Sequence, residues 1–382
     1  MTEAVSVRGA NPVNWPAVAM FSISTLALLT VFPWYAWTHD FSAGAWVAGV
    51  AFLYACGLSI TGGYHRLWAH RAYEAHWSIR IAYMLFGAMA FQNSILVWAS
   101  MHRVHHKHVD EVDHDPYSIN RGFWFAHIGW MLRDYPSSRL DYSNARDLQQ
   151  DRIVMFQHRH YLVIALAMNI LLPLLVGYAF GDPWGYLLVA GLLRLVVNHH
   201  VTFLINSLAH YWGRRPYTVE NTARDNDLIA LLTYGEGYHN YHHLFQWDYR
   251  NGVRWWQFDP TKWMIATLSW FGLARGLKRV PEFKIQRAML QRQFDRVRER
   301  LDRCKNPGRL AVLQQQFEHE LEAFKATVNA FSHLQAERIE AARHKLADQW
   351  EHSDTRMKLQ QLEEALRVQR QRMTQMQRWQ TA

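Results

Sequence analysis

Four long apolar runs constrain this chain more than any other feature. Residues 15–37 are essentially uncharged and long enough, as a helix, to cross a hydrocarbon core of about 30 Å. Residues 42–64 form a second run that ends directly at His65, and residues 161–180 and 185–208 form two more. Lipid offers no hydrogen bonds, so each run must satisfy its own backbone, and a helix does so within one segment. Gly181-Asp182-Pro183 between the last two runs reads as a tight turn. The expectation is four spans in two hairpins, with Trp34, Tyr35 and Trp37 in the interfacial aromatic belt.

Composition divides the chain near Pro281. Sixteen of the 18 tryptophans precede it, and Gln, Arg, Glu and Lys dominate from there to the C-terminus. Residues 1–280 carry 22 Lys and Arg against 18 Asp and Glu, and residues 281–382 carry 19 against 14. The positive excess is thus spread over both parts, with no basic block of the kind that tracks nucleic acid. It fits loops facing anionic lipid, so membrane lipid is an expected partner and nucleic acid is not. Cys56 and Cys304 give no disulfide framework. The N-terminus shows no basic segment with a nearby small-residue cleavage site, so a removed signal peptide is not expected. The domains read as an N-terminal segment 1–14, a membrane domain 15–281 and a charged helical extension 282–382.

Within the extension, Asn306-Pro307-Gly308 breaks a helical pattern. Leu310, Phe317, Phe324 and Phe331 recur every seven residues, with Leu321 and Val328 in the alternate seam position. That spacing describes a short coiled coil or a helix packed on a neighbour, and self-association or partner binding would follow. Gln314 and Gln335 interrupt the seam, and a charged helical hairpin without a partner is an equal alternative.

Three histidine clusters carry the chemistry: His65-Arg-Leu-Trp-Ala-His70, His102-Arg-Val-His105-His106 and His239-Asn-Tyr-His242-His243. His102, His105 and His106 stand at i, i+3, i+4, as do His239, His242 and His243, so each trio projects from one helix face. His65 and His70 are five apart, about 140° around an ideal helix, and converge only if the chain leaves regular helix between them. A lone histidine is more often a hydrogen-bonded core group, but eight in three boxes are too many for that reading. They are also too many for one ion. Zinc closes its shell with four ligands or keeps one water, whereas a dinuclear iron centre would use all of these groups and leave positions for dioxygen. Such a centre makes an oxidant able to take hydrogen from an unactivated methylene, which no side chain does. At a membrane surface it implies a long-chain apolar substrate. If the apolar stretch 81–99 crossed the membrane, the first two boxes would lie on opposite faces, so it reads as a helix on or under the surface. Residues 102–160 and 211–280 are then cytoplasmic loops and short helices. Arg194, His199 and His200, costly in lipid, should face the protein interior.

The motifs together resemble the membrane fatty acyl desaturases of the stearoyl-CoA and acyl-CoA delta-9 type, bacterial-like here, from about Trp15 to Pro281. Besides the boxes, the resemblance rests on Ala90-Phe-Gln-Asn93, Asp113-His-Asp-Pro116, Arg121-Gly-Phe-Trp-Phe-Ala-His-Ile-Gly-Trp130, Asn206-Ser-Leu-Ala-His210 and Gly235-Glu-Gly-Tyr238 leading into the third box. It implies nine iron ligands: His65, His70, His102, His105, His106, His210, His239, His242 and His243, with Asn206 reaching a metal through water. It also implies that Gln92, Asn93 and Thr202 lie near the acyl thioester carbonyl, that Trp98 lines the tunnel, and that Phe203 replaces a tryptophan. Ser100 and Met101 replace an Arg-Asp pair that grips CoA in animal relatives. Arg133, Arg139 and Lys107 are ordinary surface cations or phosphate contacts. Asp110, Asp113, Asp115 and Glu236 are expected to orient ligand imidazoles. His108, His114, His127, His199 and His200 are expected in structural or polar roles.

The fold class is therefore all-α, an integral membrane protein with four transmembrane helices, a cytoplasmic helical di-metal domain and a C-terminal helical or coiled-coil extension. The expected activity is an oxygen-dependent acyl desaturase using two iron ions and O2, inserting a cis double bond at the ninth carbon of a fatty acyl-CoA or acyl-lipid. Tunnel depth would be set near Leu53–Gly57. With no haem motif, nucleotide fingerprint or iron–sulfur cysteines, electrons must come from a separate donor, of ferredoxin-type or a flavin reductase system. A membrane hydroxylase of fatty acyl chains or alkanes, and a scaffold with structural zinc, are the alternatives. The expected location is a bacterial inner membrane, multi-pass, with both termini cytoplasmic.

Overall fold

A computed structural model describes residues 11–303, 307–343 and 354–379. Cys304, Asn306, Trp350 and most of the expected N-terminal segment, with its signal-peptide expectation, lie outside the described residues. The chain divides into two compact units, residues 1–215 with 221–279 and residues 216–220 with 280–382.

Among the described residues, the first unit contains four helices long and apolar enough to cross a membrane: Trp15–Thr38, Ala43–Ala69, Arg152–Ala179 and Pro183–Tyr211. Each starts on a side-chain cap. Asn14, Ser42, Asp151 and Asp182 accept backbone N–H groups of the first turns, which would otherwise be unsatisfied at a helix start. Gly181 takes φ +79° in the turn between the last two spans, a conformation glycine adopts without strain. Asp182 also accepts from the Ser42 backbone N–H at 3.1 Å, so one carboxylate ties the two hairpin turns together. The first span buries almost nothing within the protein, as expected of a lipid-facing helix.

Three features depart from the sequence reading. The third span starts at Arg152, so residues 152–160 belong to it and not to a loop. The stretch 81–99 is two helices, Trp77–Ala88 and Ile95–Lys107, rather than one. Between them Phe91 and Asn93 take positive φ, and Ser94 caps the second helix by accepting from Val97 N–H. Arg194 and His199 are buried as expected, but His200 stays exposed. Its Nδ1 lies 3.1 Å from Nε2 of His127, so the polar ring finds a partner at the surface.

Arg194, in the fourth span, is satisfied by neutral acceptors. Its guanidinium donates to the carbonyls of Ala190 and Met89 and to Oδ1 of Asn169. His199 Nε2 lies 3.0 Å from the carbonyl of Ala90. The two side chains thereby hold the turn between the short helices, satisfying carbonyls that no helix uses.

The second unit is built from helices Glu282–Leu301, Pro307–Arg343 and Asp354–Trp379. Phe317, Phe324 and Phe331 of the heptad seam pack into one core with Phe283, Phe294, Leu366 and Met373, with Leu310, Leu321 and Val328 against it. The seam thus packs on helices of its own chain, in line with the reading of a helix packed on a neighbour. Gln369 donates to the carbonyl and carboxylate of Glu320 inside this core, a polar link that fixes the register of two helices.

Candidate metal centre and substrate cavity

The second half of the Ala43–Ala69 span is not α-helical. Residues Ser59–Ala69 form a π-helix, and the His70 N–H donates to the carbonyl of His65 at 3.0 Å. Bonding from i to i+5 winds the chain more widely and brings residues five apart much nearer one direction than the roughly 140° of an α-helix. This is how the first box brings its two imidazoles to one point. The second box lies on helix Ile95–Lys107 and the third on the short helix His239–Leu244. Asp225 anchors the latter by accepting from the N–H groups of Asn240 and Tyr241.

All nine sequence-nominated histidines come together, in two groups. His65, His70, His102, His106 and His242 form one, and His105, His210, His239 and His243 the other. Their Nε2 atoms face one another: 3.0 Å for His65–His242, 2.8 Å for His70–His102 and 3.0 Å for His106–His242. In the second group the spacings are 3.1 Å for His210–His239 and 3.1 Å for His239–His243. Adjacent nitrogens on a metal at about 2.1 Å stand about 3 Å apart when 90° separates them.

The outer nitrogens show how the inner ones could ligate a cation. Nδ1 of His65 donates to Glu236 at 3.1 Å and Nδ1 of His105 to Asp115 at 2.9 Å. Nδ1 of His210 meets the Thr222 hydroxyl at 2.8 Å, and that hydroxyl donates to Asp110 at 2.6 Å. Nδ1 of His102 lies 3.2 Å from the Tyr117 hydroxyl. With their protons on Nδ1, these rings point bare lone pairs inward, an arrangement a bound cation reconciles. Burial foremost, and then neighbouring imidazoles, hold His70, His102, His106, His242 and His243 well below the ordinary imidazole range, so they are neutral and able to ligate. The donor set fits two metal ions.

Glu236 is itself held. Burial alone would raise its carboxyl, but His65 and Arg66 overcome that and bring it down to about 2. Arg66 is fully buried and bridges Glu236 and Asp259 at 2.9 and 3.0 Å. Of the four acids expected to orient imidazoles, Asp115 and Glu236 do so directly and Asp110 through Thr222. Asp113 is exposed instead. The Asp113-His-Asp-Pro116 turn aims Asp115 inward, and a neighbouring residue in that turn cannot share its direction. Tyr117 and Thr222 were missed. Tyr117 directly follows that motif, which was its only signal; nothing in the sequence marks Thr222.

Beside the histidines lies a cavity of about 460 Å³, within the range of small-molecule sites. Gln92, Asn93, Trp98, Thr202, Phe203 and Asn206 all line it, with His65, His102, His105 and His239. Gln92 donates to Thr202 at 2.9 Å and accepts from the Trp98 indole at 3.3 Å, so these three polar groups are mutually fixed. Met101 and Arg133 also reach the wall, whereas Arg139 and Lys107 do not. Ser100 is buried against Asn144. None of residues 53–57 lines the cavity, whose wall on that span comes from Ile60, Thr61 and His65. Gly57 is instead overlaid by the Tyr234 ring, which a Cβ would strike.

The profile of the fatty acid desaturase family matches residues 43–274, and the chain belongs to that family. It is 42% identical over 294 residues to the probable acyl-CoA desaturase of Schizosaccharomyces pombe, covering 76% of this chain and 60% of that protein. It is 43% identical over 251 residues to acyl-CoA desaturase 1 of Saccharomyces cerevisiae, covering 65% and 49%. Against human stearoyl-CoA desaturase it is 40% identical over 251 residues, covering 63% and 68%. The chain therefore spans about half to three fifths of the two fungal relatives.

Proposed function

We propose that this protein is an oxygen-dependent fatty acyl desaturase that places a cis double bond, at the ninth carbon, in a saturated long-chain acyl thioester. The observation that carries the reading is nine imidazoles in two converging groups beside an apolar cavity. Two irons bound there would supply the reduction of O2 and the oxidising power to remove hydrogen from two adjacent methylenes. The chain's residues supply everything else. Asp115, Glu236, Tyr117 and the Thr222–Asp110 pair hold ligand rings in orientation, and Asn206 would reach a metal through water. The Gln92–Thr202–Trp98 network, with Asn93, offers polar contacts to a thioester carbonyl. Met20, Phe21, Val97 and Phe203 form apolar wall that aligns an acyl chain and excludes water from the reacting carbons. The carrier would be CoA or an acyl-lipid. Two further electrons come from a separate donor, a ferredoxin-type protein or a flavin reductase system. The protein would reside in a bacterial inner membrane with both termini cytoplasmic.

Expression in a host lacking its own desaturase, with fatty-acid analysis of lipids and the acyl-CoA pool, tests this. A mono-unsaturated product with no added oxygen is expected; a hydroxylated product, or an unchanged profile from metal-loaded protein, overturns it.

A further inference from the structure

The second box runs into a tight loop whose backbone repeats a three-residue bond. Glu111 N–H donates to the His108 carbonyl at 2.9 Å and His114 N–H to the Glu111 carbonyl at 3.3 Å. Three-residue spacing brings His108, Glu111 and His114 to one side of the loop. Nδ1 of His108 and Nδ1 of His114 lie 3.0 and 3.2 Å from the same carboxylate oxygen of Glu111. The two rings stack with centroids 5.2 Å apart. Unlike the nine box ligands, this trio is open to water, with side-chain exposures of 26, 52 and 65%.

We propose that His108, Glu111 and His114 form a separate, solvent-facing metal site for a divalent cation of the zinc type. Two imidazoles and a carboxylate are a donor set zinc uses when its fourth position holds water. At zinc–ligand distances of about 2.0–2.1 Å, tetrahedral ligands stand about 3.4 Å apart, so the trio needs only a small expansion to admit the ion. Each imidazole proton moves from Nδ1 to Nε2, where water accepts its hydrogen bond, and no other group has to change protonation. The backbone bonds already order the loop, which lowers the entropic cost of binding.

The position gives the site a consequence. From the same loop Asp115 holds His105, and Asp110 holds Thr222 against His210. Asp110 takes positive φ, and its N–H donates to the Asp115 carboxylate at 3.0 Å. A cation on the outer side therefore stiffens the segment that orients two ligands of the four-histidine group.

The test is zinc titration of the full-length protein in detergent, carrying whatever metal its nine histidines hold, with bound zinc and resident metal measured after dialysis. One additional zinc per chain is expected, with resident metal unchanged. His114→Ala and Glu111→Gln should each weaken that zinc by more than about tenfold, the scale of losing even an outer partner, and leave resident metal unchanged. Both side chains are more than half exposed, so neither substitution threatens folding. No additional zinc, equal zinc binding in both variants, or zinc gained only as resident metal leaves overturns the proposal.

Discussion

The membrane unit buries a polar centre beside its apolar core and leaves apolar side chains exposed on its spans; the C-terminal unit buries mainly apolar side chains and exposes most of its charges. Among described residues the first unit buries Arg66, Glu236, Asp259, Lys262 and most of the nine histidines, while Leu26, Leu29, Val163 and Leu175 stand exposed on its spans. The second buries Phe283, Phe294, Phe324 and Leu290 and, apart from Glu320, which Gln369 satisfies, exposes most of its charges. Both are helical, so secondary structure does not make the difference. Lipid removes the penalty for exposed apolar surface, so the first unit can expose apolar spans while its interior houses a polar centre beside its apolar core. Water imposes that penalty on the second, and its heptad phenylalanines answer it.

That contrast is open to direct attack. Replacing His242, which belongs to one group and lies next to the other, should abolish the proposed desaturation and reduce bound metal; full metal content in His242→Ala would show that the converging nitrogens are not ligands. Next in size come two substitutions of opposite kind. Arg66→Met strands two buried carboxylates and should cost about 3–5 kcal/mol, read as a lower melting temperature in detergent. Phe324→Ala should cost a similar ~3–5 kcal/mol through a cavity, seen as faster hydrogen exchange in the three tail helices with metal content unchanged. If metal falls with Phe324→Ala, the two units are energetically one. Glu236→Gln keeps the size but weakens acceptance from His65 Nδ1, and about a 10–100-fold fall in metal affinity or activity is expected. The smallest effect belongs to the exposed Arg214–Asp227 pair: Arg214→Ala should shift stability by less than about 1 kcal/mol.

The spans and the boxes were legible because each signal is local: hydropathy over about twenty residues, or imidazoles at helical spacing. The division of nine histidines into five and four was not, since it depends on how four remote segments meet. His105 and His106 are neighbours in sequence yet join different groups. The turn at residues 89–94 was equally hidden. Nothing about Phe91 advertises positive φ, beside carbonyls of Met89 and Ala90 that Arg194 and His199 reach from the fourth span. The heptad seam was read correctly as a packing surface, but a periodic stripe does not say whether its partner lies in the same chain. Asp115 could be nominated by type, whereas Thr222 is an ordinary threonine until the fold brings it to His210.

The π-helix at Ser59–Ala69 has a consequence for how this segment tolerates change. An α-helix is the more stable winding, so a single-residue deletion between His65 and His70 would let the backbone relax into it. The two imidazoles would then stand four apart, still on one face. Every residue after them would shift by one position, however, carrying Ala72 out of its bonds with Arg66 and Lys278. Length polymorphism should therefore be rejected here more strictly than substitution, so that deletion scanning across the second span would draw a sharp boundary where the wider winding begins.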